Sequence, residues 1–143
     1  MTGAQFVTVT FLAMVTSTAL ASNDRQEIRL SVAGAESDTG QILVSLFDSA
    51  ENFLATPILE MTVDVDGTGS ATVSLGQHRK GKYALAIIYD KNGNGKLDTG
   101  VFRIPKEKTG FSNNASSRFG PAKWEEANFS LTDSDVVIEI QLR

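Results

Sequence analysis

From Ile28 to Leu142 apolar residues return again and again at every second position, and that period limits the fold more than any other feature of the chain. Ile28, Leu30 and Val32 alternate with Arg29 and Ser31, and Leu59, Met61, Val63 and Val65 alternate with Glu60, Thr62 and Asp64. Val136, Ile138, Ile140 and Leu142 close the chain in the same way. Successive side chains of a strand point to opposite faces, so each run offers one face to a core and one to water. Residues 42–47 form a nearly continuous apolar run, and Ala71, Val73 and Leu75 follow an Asp66-Gly67 turn signal. Residues 83–89 (YALAIIY) are apolar on both faces, as a central strand should be. A short edge strand is expected near Leu131. No window of about eleven residues keeps a helical period, so only brief helical turns are expected, at residues 48–55 and 121–128. The count is six or seven strands. The sequence therefore predicts an all-β chain: a single β-sandwich of about seven strands, immunoglobulin-like or transthyretin-like, over residues 22–143, with a closed barrel as the second choice.

Residues 6–20 (FVTVTFLAMVTSTAL) are uncharged and end in Ala19-Leu20-Ala21 before Ser22, an A-x-A cleavage pattern. Residues 1–21 are read as a signal peptide, with an uncleaved anchor as the alternative because no Lys or Arg precedes the apolar run. The stretch is too short and too rich in Thr and Ser to cross a bilayer comfortably, which takes about 20 strongly apolar residues. The expected location is periplasmic or secreted, with no integral membrane span after cleavage. Seventeen acids against thirteen basic residues give a net charge of −4, which repels phosphate backbones and argues against a nucleic-acid partner. The absence of cysteine excludes disulfides, thiolate metal sites and a cysteine nucleophile.

After the central strand comes Asp90-Lys91-Asn92-Gly93-Asn94-Gly95-Lys96-Leu97-Asp98, with oxygen-bearing side chains at relative positions 1, 3, 5 and 9 and glycine at 6. Those are the ligand positions of an EF-type calcium loop, in which position 7, here Lys96, supplies a backbone carbonyl. The candidate metal ligands are Asp90, Asn92, Asn94, Lys96 and Asp98, and the candidate cofactor is one calcium ion. Val101 stands where such a loop has its bidentate Glu, so the expected dissociation constant is about 10⁻⁵ to 10⁻³ M unless Glu107 supplies the missing ligand. The competing reading is a metal-free turn, because Asn92-Gly93 and Asn94-Gly95 are both strong turn dipeptides.

Five of the nine aromatic residues after position 21 lie between Asp98 and Phe129, where no period is evident. Such a segment either presents a binding surface or covers a sheet edge. The candidate partner surface is Glu107, Phe111, Ser112, Asn113 and Asn114, facing an unidentified envelope protein or ligand. YALAIIYDKNGNGKLDTGVFRIPKEKTGFSNNA, followed by FGPAKWEEANFSL, resembles the bacterial exported proteins grouped as the DUF2141 family. That resemblance rests on a D-x-N-x-N-G-x-x-D loop leading into I-P-x-E, G-F-S-N-N and F-G-P, and it covers residues 81–131 most specifically. It implies an exported β-sandwich with no established activity. Arg103 stands where the family pattern leads one to expect a small residue, and Ala122 where a second Pro is frequent.

No nucleophile elbow, zinc-binding helix or phosphate loop is present. His78, the only histidine, is placed in a solvated loop at residues 76–81, and the Glu125-Glu126 and Asp133-Asp135 pairs are read as charged surface. The favoured function is an exported, non-catalytic cell-envelope binding or structural module stabilised by one calcium ion. Two alternatives stand beside it: an envelope hydrolase using loop carboxylates beside the ion, or a carrier of a small apolar ligand in a cavity between the sheets, where inward-facing small residues such as Ala84 and Ala86 would leave space. A deep polar pocket around Glu107 and Ser112 would favour the hydrolase; a flat or aromatic surface would favour the module.

Overall fold

The computed structural model describes residues 24–36 and 39–143, so the predicted signal peptide lies outside the described residues. The alternating runs become strands where their periods place them: β1 (Arg25–Ala33), β2 (Gln41–Phe47), β3 (Leu59–Asp64), β4 (Ser70–Arg79), β5 (Gly81–Asp90), β6 (Thr109–Phe111), β7 (Phe129–Leu131) and β8 (Val136–Gln141). They build two sheets, one ordered β4-β1-β8 and the other β3-β2-β5-β6, with β7 also paired to β5. The predicted all-β class holds, with eight strands among the described residues rather than about seven.

β1 is central in its sheet, antiparallel to β4 and parallel to β8, with Leu30 opposite Ile138 and Val32 opposite Ile140. Its inward residues Ile28, Leu30 and Val32 meet Ile42, Val44 and Leu46 of β2 and Tyr83, Leu85, Ile87 and Tyr89 of β5 in one buried core. Every buried member of that core lies between Ile28 and Leu142. The opposite face of β5 is covered as well. Ala84 and Ala86 lie beneath Phe53, Phe111 and Trp124, in a second apolar cluster completed by Ala122 and Ala127. This corrects the carrier geometry: the two small alanines face an outer cover rather than a space between the sheets.

One local expectation changes. β4 runs on through Gly76 to Arg79 instead of ending in a loop, since a bulge between Glu27 and Arg29 of β1 keeps Arg25, Gln26 and Glu27 paired to its far end. His78 is thus a strand residue, its Nε2 2.9 Å from the Leu75 carbonyl and its ring edge-on to Tyr83. The brief turns fall where they were expected: residues 48–55 form hydrogen-bonded turns, with both Ala55 and Thr56 donating to the Asn52 carbonyl. The second is one short helix, α1 (Trp124–Ala127). Among the described residues no helix is long and apolar enough to cross a membrane.

β6 was not expected at all. It is three residues long and contains glycine, yet it closes the far side of the sandwich: Thr109 exchanges both backbone hydrogen bonds with Arg143, at 2.9 and 3.0 Å. Gly110 permits that approach, because a Cβ there would stand 2.5 Å from Cγ2 of Ile140. The corner that follows, Ser112–Asn114, puts Asn113 and Asn114 at φ 59° and 49°. Asparagine tolerates that left-handed region better than most residues.

Candidate functional site

The loop after β5 is organised by one carboxylate. Asp90 ends the strand with 0% of its surface exposed. Its Oδ1 accepts the Asn94 N–H at 3.1 Å, and its Oδ2 accepts the Gly95 N–H at 2.7 Å and the Gln41 Nε2 at 2.8 Å. Burial by itself would push this carboxyl up; the Gln41 amide and the Gly95, Asn94 and Gly93 N–H groups outweigh it and hold it below the ordinary carboxylate value. Gly93 and Gly95 take left-handed φ of 70° and 79°, which lets the loop fold over the carboxylate.

Asn92 and Asn94 each accept the N–H two residues on, from Asn94 and Lys96 respectively. Their Nδ2 atoms donate to the two oxygens of Asp98, at 2.6 and 2.9 Å. Asp90, Asn92, Asn94 and Asp98 are thus drawn into one cluster, which Lys96 joins through its backbone N–H. Among the described residues no group of three or more His, Cys, Asp or Glu is arranged to hold a metal; half of this oxygen set is amide.

Glu107 reaches the loop through the loop's own backbone. Its Oε1 accepts the Lys91 N–H and its Oε2 the Asp98 N–H, both at 3.0 Å, so it ties the two ends of the loop together. Glu107→Ala should free both amides, lowering stability by about 1–2 kcal/mol and raising hydrogen exchange at Lys91 and Asp98 above that of β1. Unchanged exchange at those two amides would refute the clamp.

The predicted partner residues divide in two. Phe111 and Ser112 are buried, Phe111 with an edge in the cleft described below. The Ser112 hydroxyl accepts the Leu85 N–H at 2.8 Å and donates to the Ala127 carbonyl at 2.5 Å, filling a break between β6 and β7. Asn113 and Asn114 are exposed, but their amides also stitch backbone: Asn113 Nδ2 donates to the carbonyls of Glu126 and Asn128, and Asn114 Oδ1 accepts the Gln141 N–H from the edge of β8. Hydrogen bonding among these residues makes G-F-S-N-N a joint between sheets.

Beside the loop lies a cleft of about 570 Å³ lined by Leu97, Phe102, Ile104, Phe111, Phe119 and Pro121, with Arg103 and Arg118 at its polar positions. Phe102 is 91% and Phe119 98% exposed. The sequence had marked this aromatic segment, but burial decides which rings face outward, and spacing carries no signal for that. Of the pairs read as charged surface, Asp133 pairs with Lys80, and Asp135 accepts the Glu27 N–H at 2.8 Å. Every buried side-chain nitrogen and oxygen among the described residues has a hydrogen-bond partner.

The sequence model of a family described as uncharacterized protein conserved in bacteria (DUF2141) matches residues 30–139. No curated protein and no solved structure matches the chain.

Proposed function

This chain belongs to the DUF2141 family, and on that premise we propose that it is an exported, non-catalytic binding module of the cell envelope, stabilised by one calcium ion in the loop of residues 90–98. One observation carries the reading: four oxygen-bearing side chains converge at the end of the central strand, directly beside an open aromatic cleft. In this reading the ion takes the place of the two amide N–H groups that face Asp98, with Asp90 and Asp98 balancing its charge. Hard oxygen donors of this mixture suit calcium, whose flexible coordination tolerates amide and backbone carbonyls. Magnesium demands stricter geometry.

The non-catalytic reading draws support from the surroundings of Glu107 and Ser112. The Ser112 hydroxyl is buried in the joint between β6 and β7, and Glu107, which borders a polar cleft of about 540 Å³ with Thr109, Ser116, Ser117, Arg118 and Arg143, is spent on two backbone N–H groups. A glycoside hydrolase would need two carboxyl groups flanking a cleft.

The test is thermal unfolding of the chain from Ser22 in EDTA and in millimolar calcium. An ion bound only by the folded state at 100 times its dissociation constant adds about 2.7 kcal/mol. The midpoint should therefore rise by several degrees. No shift in the wild-type chain would remove calcium from the reading.

A further inference from the structure

The stretch after the loop is a small hairpin. Lys106 N–H donates to the Asp98 carbonyl at 2.9 Å and Gly100 N–H to the Ile104 carbonyl at 2.7 Å, with Thr99 bridged to Pro105. Its tip turns at Phe102 and Arg103, both left-handed, with φ of 60° and 59°. Two-residue turns with positive φ at both central positions strongly favour Asn-Gly. Phe and Arg there are strained, and the Phe is also almost wholly in water. Phe119 projects to a similar degree from the neighbouring loop, and both rings border the same cleft. Val101 and Ile104 add further exposed apolar surface on the tip.

Charge singles out the same corner. Between Thr99 and Lys123 stand Arg103, Lys106, Lys108, Arg118 and Lys123 against one acid, Glu107, in a chain whose net charge is −4. Both oxygens of Glu107 are engaged by backbone N–H groups, and among the described residues Arg103, Lys106 and Arg118 enter no ion pair. The rest of the chain carries the whole acidic excess.

Taking this face as the binding surface of the function proposed above, we infer that its partner is an anionic lipid surface, entered by Phe102 and Phe119 and held by Arg103, Lys106 and Arg118. Interleaved aromatic and basic side chains on protruding tips combine burial at the headgroup boundary with attraction to acidic lipid. Both rings border the cleft yet lie almost wholly in water. The acidic remainder of the molecule is repelled by the same surface, which turns this corner toward it.

The test is co-sedimentation of the chain from Ser22, which contains every core residue among those described, with vesicles of phosphatidylcholine alone or mixed with phosphatidylglycerol, each in EDTA and in calcium. Wild type should sediment with the phosphatidylglycerol vesicles, and binding should weaken as salt rises. The double variant Phe102→Asn/Arg103→Gly gives the turn its preferred residues, so its melting midpoint should rise by a few degrees while vesicle binding falls about tenfold or more. Phe119→Ser should lower binding with an unchanged midpoint. Absence of wild-type binding, equal binding to phosphatidylcholine alone, or full binding by the double variant would each overturn the inference. Vesicle binding in EDTA by a chain that shows no calcium shift would sustain the lipid assignment and remove only the ion. A calcium shift without vesicle binding would do the reverse.

Discussion

Asp90→Ala should lower the stability of the chain from Ser22 by about 4 kcal/mol in EDTA, where no ion is involved. The substitution strands the Gln41 amide and the N–H groups of Asn94 and Gly95 at the buried end of β5, and hydrogen bonds to a charged acceptor contribute roughly 1.5–3 kcal/mol each. Urea unfolding should show a lower midpoint with an unchanged slope. The same carboxylate sets an acid limit. Held below its ordinary value of 3.8, Asp90 binds fewer protons folded than unfolded, so its contribution is complete above that pH and is lost as pH falls through the lower, folded value. Wild type should therefore weaken in that acid window more than Asp90→Ala does. Parallel acid profiles for the two proteins would show that Asp90 is not the organising group.

Ser112→Ala should lower stability by about 3 kcal/mol, although it removes a single oxygen. That oxygen serves two backbone groups at once, the Leu85 N–H and the Ala127 carbonyl, and each buried group left unpaired costs roughly 1–3 kcal/mol. Ser112→Thr keeps the hydroxyl and should retain part of the difference. Near-wild-type unfolding of Ser112→Ala would mean that Ser112 is not the link between β6 and β7.

Period two was enough to place β1, β3 and β8, because each has a face against the core and its alternation records that contact directly; β2 and β5 showed instead as continuous apolar runs. β6 escaped for the opposite reason: it owes its existence to its partners, Ala86–Ile88 on one side and Arg143 on the other, and a Thr-Gly-Phe triplet has no period. The far end of β4 was misread because Gly76, His78 and Arg79 look like a polar loop, yet pairing to β1 across a bulge outweighs composition. At the site, the converging set of Asp90, Asn92, Asn94 and Asp98 was legible from spacing alone. The role of Glu107 was not, since nothing in its position says whether an acid faces an ion or a pair of backbone amides. The G-F-S-N-N residues drew attention for a sound reason, and their hydrogen bonds give them a structural role that the sequence did not show. Glycine that clears Ile140, a buried hydroxyl and two left-handed asparagines form a corner that other residue types would strain, and a corner reads like a surface when only its polarity is visible. Arg103, where a small residue was expected, proves to occupy one of the two strained positions of the hairpin tip.

The parallel pairing of β1 with β8 bears on the order in which the molecule can assemble. Ile28 lies opposite Val136, so the middle strand of its sheet waits for a neighbour supplied by the opposite end of the chain. Contacts this distant in sequence slow folding, and a chain emerging with its N-terminal end first cannot seal its core until the last strand has been released.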